Sequence, residues 1–258
     1  MASASPQAKP QNRRRARARG AETFDLQELG KRSFVIIGEE PNRVRSGVTM
    51  PFMSSKPPAL GADPQQKIDW LESEYGERFR ALLDEATDLV DAPQALDSRG
   101  LRLVEIAREM AARIAPLTPC RSGCSHCCRQ PVFISSWEAA RIVKFSGRKA
   151  VDPVATVAGP DRNNELLRRF SGVPCPFLRN GRCTVYAVRP LVCIGHHSLA
   201  SDSTPCDLVA DPESTVLGVG DQEFISIKAA LFLAEGHTSA DIREFFPMQG
   251  SHTGHHLV

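Results

Sequence analysis

Between residues 64 and 90 the apolar side chains recur in steps of three or four, at Ile68, Leu71, Tyr75, Phe79, Leu82, Ala86 and Leu89. That spacing lines one face of a helix. Asp63-Pro64-Gln65-Gln66 opens it with an N-cap residue, a proline at the first helical position and a glutamine at the third. A second helical pattern runs from about Pro93 to Ala115 through Leu96, Leu103, Ile106, Met110 and Ile114, and Pro116 stops it. Gly100 weakens its first half.

Further along, Ser135-Ser136-Trp137-Glu138 reads as a capping box that opens a short helix to about Phe145. Residues 147–160 read as a loop, after which Asp161 caps another short helix ending near Phe170. Asn180-Gly181 is a strong hairpin signal that sets Phe177-Leu178 opposite Cys183-Thr184. Helices are then expected from Asp221 to Glu235, with Gly236 as the cap, and from Ser239 to Phe246, stopped by Pro247.

Upstream of all this, Phe34-Val35-Ile36-Ile37 suggests a short strand or buried extended segment, and Pro41, Pro51, Pro57 and Pro58 mark an irregular arm. Residues 1–20 lack large core-forming side chains and are expected to be a disordered basic tail. The chain therefore divides into the tail 1–20, an N-terminal arm and helical region 21–119, a cysteine-cluster domain 120–206 and a C-terminal helical extension 207–258. The expected fold is mainly α, with an irregular cysteine-rich metal-binding centre that contains a short hairpin and is flanked by helices.

Composition narrows the class. The 258 residues are 41% hydrophobic, 6% aromatic and 24% charged, which suits a globular chain with a lean aliphatic core. No apolar run approaches the ~20 residues of a membrane helix, so no membrane partner is expected. The net charge of +2 conceals segregation. Residues 1–20 carry six basic groups and no acid, and residues 120–206 carry twelve Lys/Arg against five Asp/Glu.

All eight cysteines fall between Cys120 and Cys206. The N-terminus shows no apolar stretch of an export signal, so the expectation is a cytoplasmic chain with reduced thiols. Clustered reduced thiols favour metal over disulfides. The first cluster is Cys120-x3-Cys124-x2-Cys127-Cys128, with Gly123 permitting a tight turn. Cys127 and Cys128 are neighbours whose side chains should point apart, so each could serve a different site. The second cluster is Cys175, Cys183, Cys193 and Cys206. Sulfur-only ligand sets suit zinc and iron–sulfur clusters alike. A fourth ligand for Cys120, Cys124 and Cys127 is expected from Cys175, Cys183, Cys193 or Cys206, closing one site across both halves. Two independent sites are the alternative.

These motifs, with Cys175-Pro-Phe-Leu, Gly181-Arg-Cys183-x-Val185-Tyr186, Arg189-Pro190 and Cys193, resemble the YkgJ-type cysteine-cluster family, described as zinc- or iron-chelating. The resemblance spans about Cys120 to Cys206, and Ile194 follows Cys193 where the family usually carries an arginine. The expected function is a metal-binding protein that holds zinc or an iron–sulfur cluster and could be accessory to a redox or modification enzyme. Flagellin lysine methylases carry a similar cluster, so the resemblance implies an iron–sulfur enzyme as the alternative. Three other readings carry less weight. The C-x3-C-x2-C spacing also occurs in radical-SAM enzymes, but no strand–helix repeat follows it here. A zinc-stabilised nucleic-acid module would use the basic tail, yet few aromatics accompany the arginines. A catalytic thiol would pair Cys193 with His196 or His197. His126 reads as a solvent-facing spacer, and His252, His255 and His256 form a terminal group with no assigned role. A protein partner is compatible with all of these readings.

Overall fold

The computed structural model describes residues 63–153, 162–207, 218–219 and 222–248. The basic tail, the Phe34–Ile37 segment, the Asp161 and Asp221 caps and the terminal histidines lie outside the described residues.

The first helix forms as its periodicity predicts. α1 spans Pro64–Asp91, with the Asp63 carboxylate accepting from the Gln65 backbone N–H at 2.9 Å. Ile68, Leu71, Phe79, Leu82 and Ala86 are buried, and Tyr75 and Leu89 pack partly buried beside them. α2 spans Leu96–Ile114 and starts three residues later than Pro93 suggests. The chain is extended at Ala92 and Ala95, and only from Ala95 do carbonyls accept the first helical N–H groups, from Ser98 at 3.0 Å and Arg99 at 3.2 Å. Past Ile114 the chain tightens into a single 3-10 turn, Ala115–Leu117, containing the expected proline.

β1 is Phe133–Ser135, and α3 follows as Ser136–Ser146 with the full reciprocal capping box between Ser135 and Glu138. α4 is Arg162–Phe170. The hairpin strands are β2, Leu178–Arg179, and β3, Arg182–Cys183, in the expected register: Leu178 faces Cys183, and Thr184 donates to the Phe177 carbonyl at 2.9 Å. Asn180 and Gly181 both take positive φ, 50° and 71°, as a two-residue loop of this kind requires. α5 is the short helix Leu191–Gly195 that carries Cys193. β4, His197–Ser198, pairs antiparallel with β5, Gly218–Val219. α6 is Gln222–Ala234, followed by Gly236 at φ 78°.

The expected Ser239–Phe246 helix is only partly present. Ser239–Asp241 is a strand, β6, paired antiparallel with β1 so that Phe133 faces Asp241 and Ser135 faces Ser239. Asp241 then caps the one-turn α7, Ile242–Phe245, through its own capping box with Glu244. A cap residue is itself non-helical, so the helix cannot begin before it.

The described fold is mainly α, with three two-stranded ladders and no larger sheet. Its apolar side chains form two cores. One joins α1, α2 and α6 with Leu191, Ile194 and Trp137. The other gathers Ile134, Ala139, Ile142, Phe177, Val185, Ala240, Ile242, Phe245 and Phe246, with Cys175, Cys183 and Cys193 packed against it. α3 and α5 contribute to both cores, Trp137 to the first and Ile142 to the second. No described helix is long and apolar enough to cross a membrane.

Candidate metal centre

The first cysteine cluster is a chain of tight turns. Gly123 takes φ 94°, Cys124 N–H donates to Arg121 O at 3.0 Å, and Cys128 N–H donates to Ser125 O at 3.1 Å. The hairpin tip packs against this turn, since a side chain at Gly181 would lie 3.8 Å from the Gly123 carbonyl oxygen. The two sequence clusters are laced together directly, with Cys175 N–H donating to the Cys128 carbonyl at 2.7 Å and Gly172 N–H to Arg129 O at 2.8 Å.

Eight free thiols result. Their mutual electrostatics sort them into two neighbourhoods, each drawing on both clusters. Cys206 feels Cys120, Cys124 and Cys127, and Cys124 feels Cys120 and Cys127. Cys193 feels Cys127, Cys175 and Cys183, and Cys128 feels Cys175 and Cys193. Cys127 belongs to both lists, and Cys128 and Cys183 feel it as well, so the two neighbourhoods overlap at this thiol. In the first neighbourhood the Ser198 N–H points at the Cys120 sulfur at 3.5 Å, and the Ser198 hydroxyl bonds Cys206.

Burial raises the thiols of Cys124, Cys183 and Cys206, lifts Cys175 to about 11 and drives Cys193 well above the ordinary range. Cys127 goes the other way, to about 7, because the Cys128 thiol donates to it and Arg189 adds positive charge; Cys128 is pushed up in return. Without metal, most of these groups hold their protons. Among the described residues, no three or more Cys, His, Asp or Glu side chains are placed so that they could together hold a metal ion. The donor chemistry nonetheless fits a sulfur-bound metal. Thiols are the ligands that zinc and iron–sulfur clusters take, and binding replaces their protons.

Two sequence readings change here. His126 keeps a third of its side chain exposed but is not a bare spacer: its Nδ1 lies 3.6 Å from the carboxylate of Asp207, the residue next to Cys206. His197 does not activate Cys193. Its Nε2 bonds the Ile194 carbonyl at 3.1 Å, and its buried Nδ1 has no hydrogen-bond partner among the described residues.

Sequence reasoning missed the residues that brace the site. Glu138, 1% exposed, accepts from the Ser135 backbone N–H at 2.8 Å and from the Leu191 N–H at 2.8 Å, which anchors the helix bearing Cys193. Lys228 on α6 pairs with Glu138 at 3.0 Å and donates to Phe133 O at 2.9 Å. Asp241 and Arg243 form a buried pair at 3.0 Å behind the first cluster. The capping box pointed to Glu138, but its second role, toward residue 191, has no local signature.

Residues 119–209 match the model of a family described as "CxxCxxCC: Putative zinc- or iron-chelating domain". It is the cysteine-cluster family that the motifs resemble. The match takes in all eight cysteines and supports metal chelation as the chemistry of this segment. Lys228, Asp241 and Arg243 fall outside it. No curated protein and no solved structure matches the chain.

Proposed function

We propose that the chain chelates metal in two adjacent sulfur-only centres, each built across the two sequence clusters. Cys120, Cys124, Cys127 and Cys206 form one, and Cys128, Cys175, Cys183 and Cys193 form the other. The observation that carries this reading is geometric: Cys175, Cys183 and Cys193 pack against one core, with the Cys175 N–H on the Cys128 carbonyl at 2.7 Å, while Ser198 lies against the Cys120 sulfur at 3.5 Å. It replaces a single site closed across both halves with two sites that each span them. Four thiolates close the coordination of zinc and leave no open position for a substrate, which favours a chelating and structural role; a four-cysteine iron–sulfur cluster uses the same donors.

The chain's own contribution is positional. The Gly123 turn, the Asn180-Gly181 hairpin and α5 bring the sulfurs together, while Glu138 and Lys228 hold the wall between the cores. Deprotonation of the buried thiols accompanies binding, so affinity falls as pH is lowered.

The test is anaerobic purification followed by elemental analysis and a visible spectrum. The expected result is about two zinc ions per chain, or iron in amounts fitting one or two clusters with a broad absorption that dithionite bleaches. A folded protein with all eight thiols free and essentially no metal would refute the proposal.

A further inference from the structure

The cysteine-rich segment is braced from beyond the stretch that the family model covers. Asp241 and Arg243 lie at the junction of β6 and α7, both buried, at 0% and 5% exposure. Asp241 receives the Arg243 backbone N–H at 2.8 Å, the Val132 N–H at 2.6 Å and the Arg243 Nη1 at 3.0 and 3.1 Å. Held this way, the guanidinium turns its remaining N–H groups to backbone carbonyls. Nη2 donates to Cys128 O at 3.3 Å, to Gln130 O at 3.1 Å and to Val173 O, and Nε donates to Val173 O at 3.1 Å.

One side chain therefore ties two separate stretches of backbone. One includes the peptide of Cys128; the other lies two residues before Cys175. The same two stretches meet in the 2.7 Å bond from Cys175 N–H to Cys128 O. A planar guanidinium with five donors in a fixed fork suits this task, whereas a lysine offers a point charge and no fixed spacing between donors.

We infer that Arg243, oriented by Asp241, is a positioning residue of the metal centre: it sets the spacing of the Cys128 and Cys175 peptides and so presets two of that centre's four thiols. The inference rests on the two-centre reading above.

The test uses the full chain with Zn²⁺ and Co²⁺ as probes and two variants, Arg243→Lys and the charge-neutral pair Asp241→Asn/Arg243→Gln. Affinity is read by competition with a chromophoric chelator, and each cysteine's protection by alkylation and mass spectrometry. Circular dichroism reports the helices. Arg243→Lys should keep its helices and lose about tenfold or more in affinity at one centre. Cys128 and Cys175 should then become alkylated in the presence of metal, while Cys120, Cys124 and Cys206 stay protected.

A purely structural pair would behave differently, lowering the melting temperature with the protection pattern intact or loosening both cysteine groups alike. Either result overturns the inference, as does wild-type affinity in Arg243→Lys. Should that variant fail to fold, the neutral pair is read in the same way; if neither folds, the two residues serve the whole chain and the inference is wrong. A wild-type chain that binds no metal refutes the two-centre reading itself, whereas a binding wild type with an unchanged variant refutes only the role of Arg243.

Discussion

Gly100 sits where a side chain has no room. A Cβ there would come within 2.6 Å of the Trp137 ring, which stacks on Phe232 at 5.0 Å and donates Nε1–H to Asp97 at 2.7 Å. The sequence marks this glycine as a weak point in a helix, and in isolation that is correct. Alanine would improve helix propensity by about 1 kcal/mol, but overpacking against an indole costs about 1–3 kcal/mol. Gly100→Ala should therefore lower the melting temperature, and a rise would show that the Trp137 contact yields easily. The cysteines divide at the same scale. Cys206→Ser should remove metal from the centre containing Cys120 and leave the other loaded, and Cys183→Ser should do the reverse. Metal analysis with hydrogen exchange distinguishes this from a single shared site, in which either change empties both. Adjacency misleads at Cys127 and Cys128: in extended backbone their side chains would point apart, but both lie in the 3-10 turn His126–Arg129 and the Cys128 thiol donates to Cys127. Which distant cysteine joins which group depends on turns and ladders that no local spacing encodes.

Among the elements, α3 links the two cores, through Trp137 on one side and Ile142 on the other. Its N-terminal capping box was legible because the motif is local, four residues long and satisfied by its own backbone. The use of the same Glu138 to hold the first N–H of α5 was not legible, because its partner is 53 residues away. Lys228 supplies the counter-charge from α6, with both side chains buried. Lys228→Met would leave that carboxylate buried without a cation, and the expected loss is about 3–5 kcal/mol in chemical denaturation. Adding Glu138→Gln should recover part of it; a single substitution that costs nothing would mean that water reaches the pair. The misread element, Ser239–Phe246, has a related cause. Three of its residues bond to β1 more than 100 positions upstream, and a three-residue strand carries too little pattern to oppose a helical reading.

For the whole molecule, acid acts through His197 as well as through the thiols. Burial, with the nearby charges of Arg189 and His196, pulls its imidazole from 6.5 to about 4. An unfolded chain takes up that proton near pH 6.5, and the folded one does so only near 4. Between those values the unfolded state binds more protons, so stability declines as pH falls through this window and is unaffected above it, by roughly 3 kcal/mol in all. His197→Gln, which can still donate to Ile194 O, should flatten that part of the profile relative to wild type; parallel profiles would place the titration elsewhere. The mainly α class, both long helices and the hairpin register could be read from periodicity and turn chemistry, while the two cores and their shared wall could not. The pairing of β1 with β6 has a consequence in time. A ribosome makes the chain from the N-terminus, at about 5–20 residues per second. Every cysteine is made before Ser239–Asp241 and Arg243, so for a time the thiols belong to a segment that lacks its final brace. A nascent chain thus offers its thiols to metal before the ladder can form, and the pairing of β6 with β1 then secures whatever has been loaded.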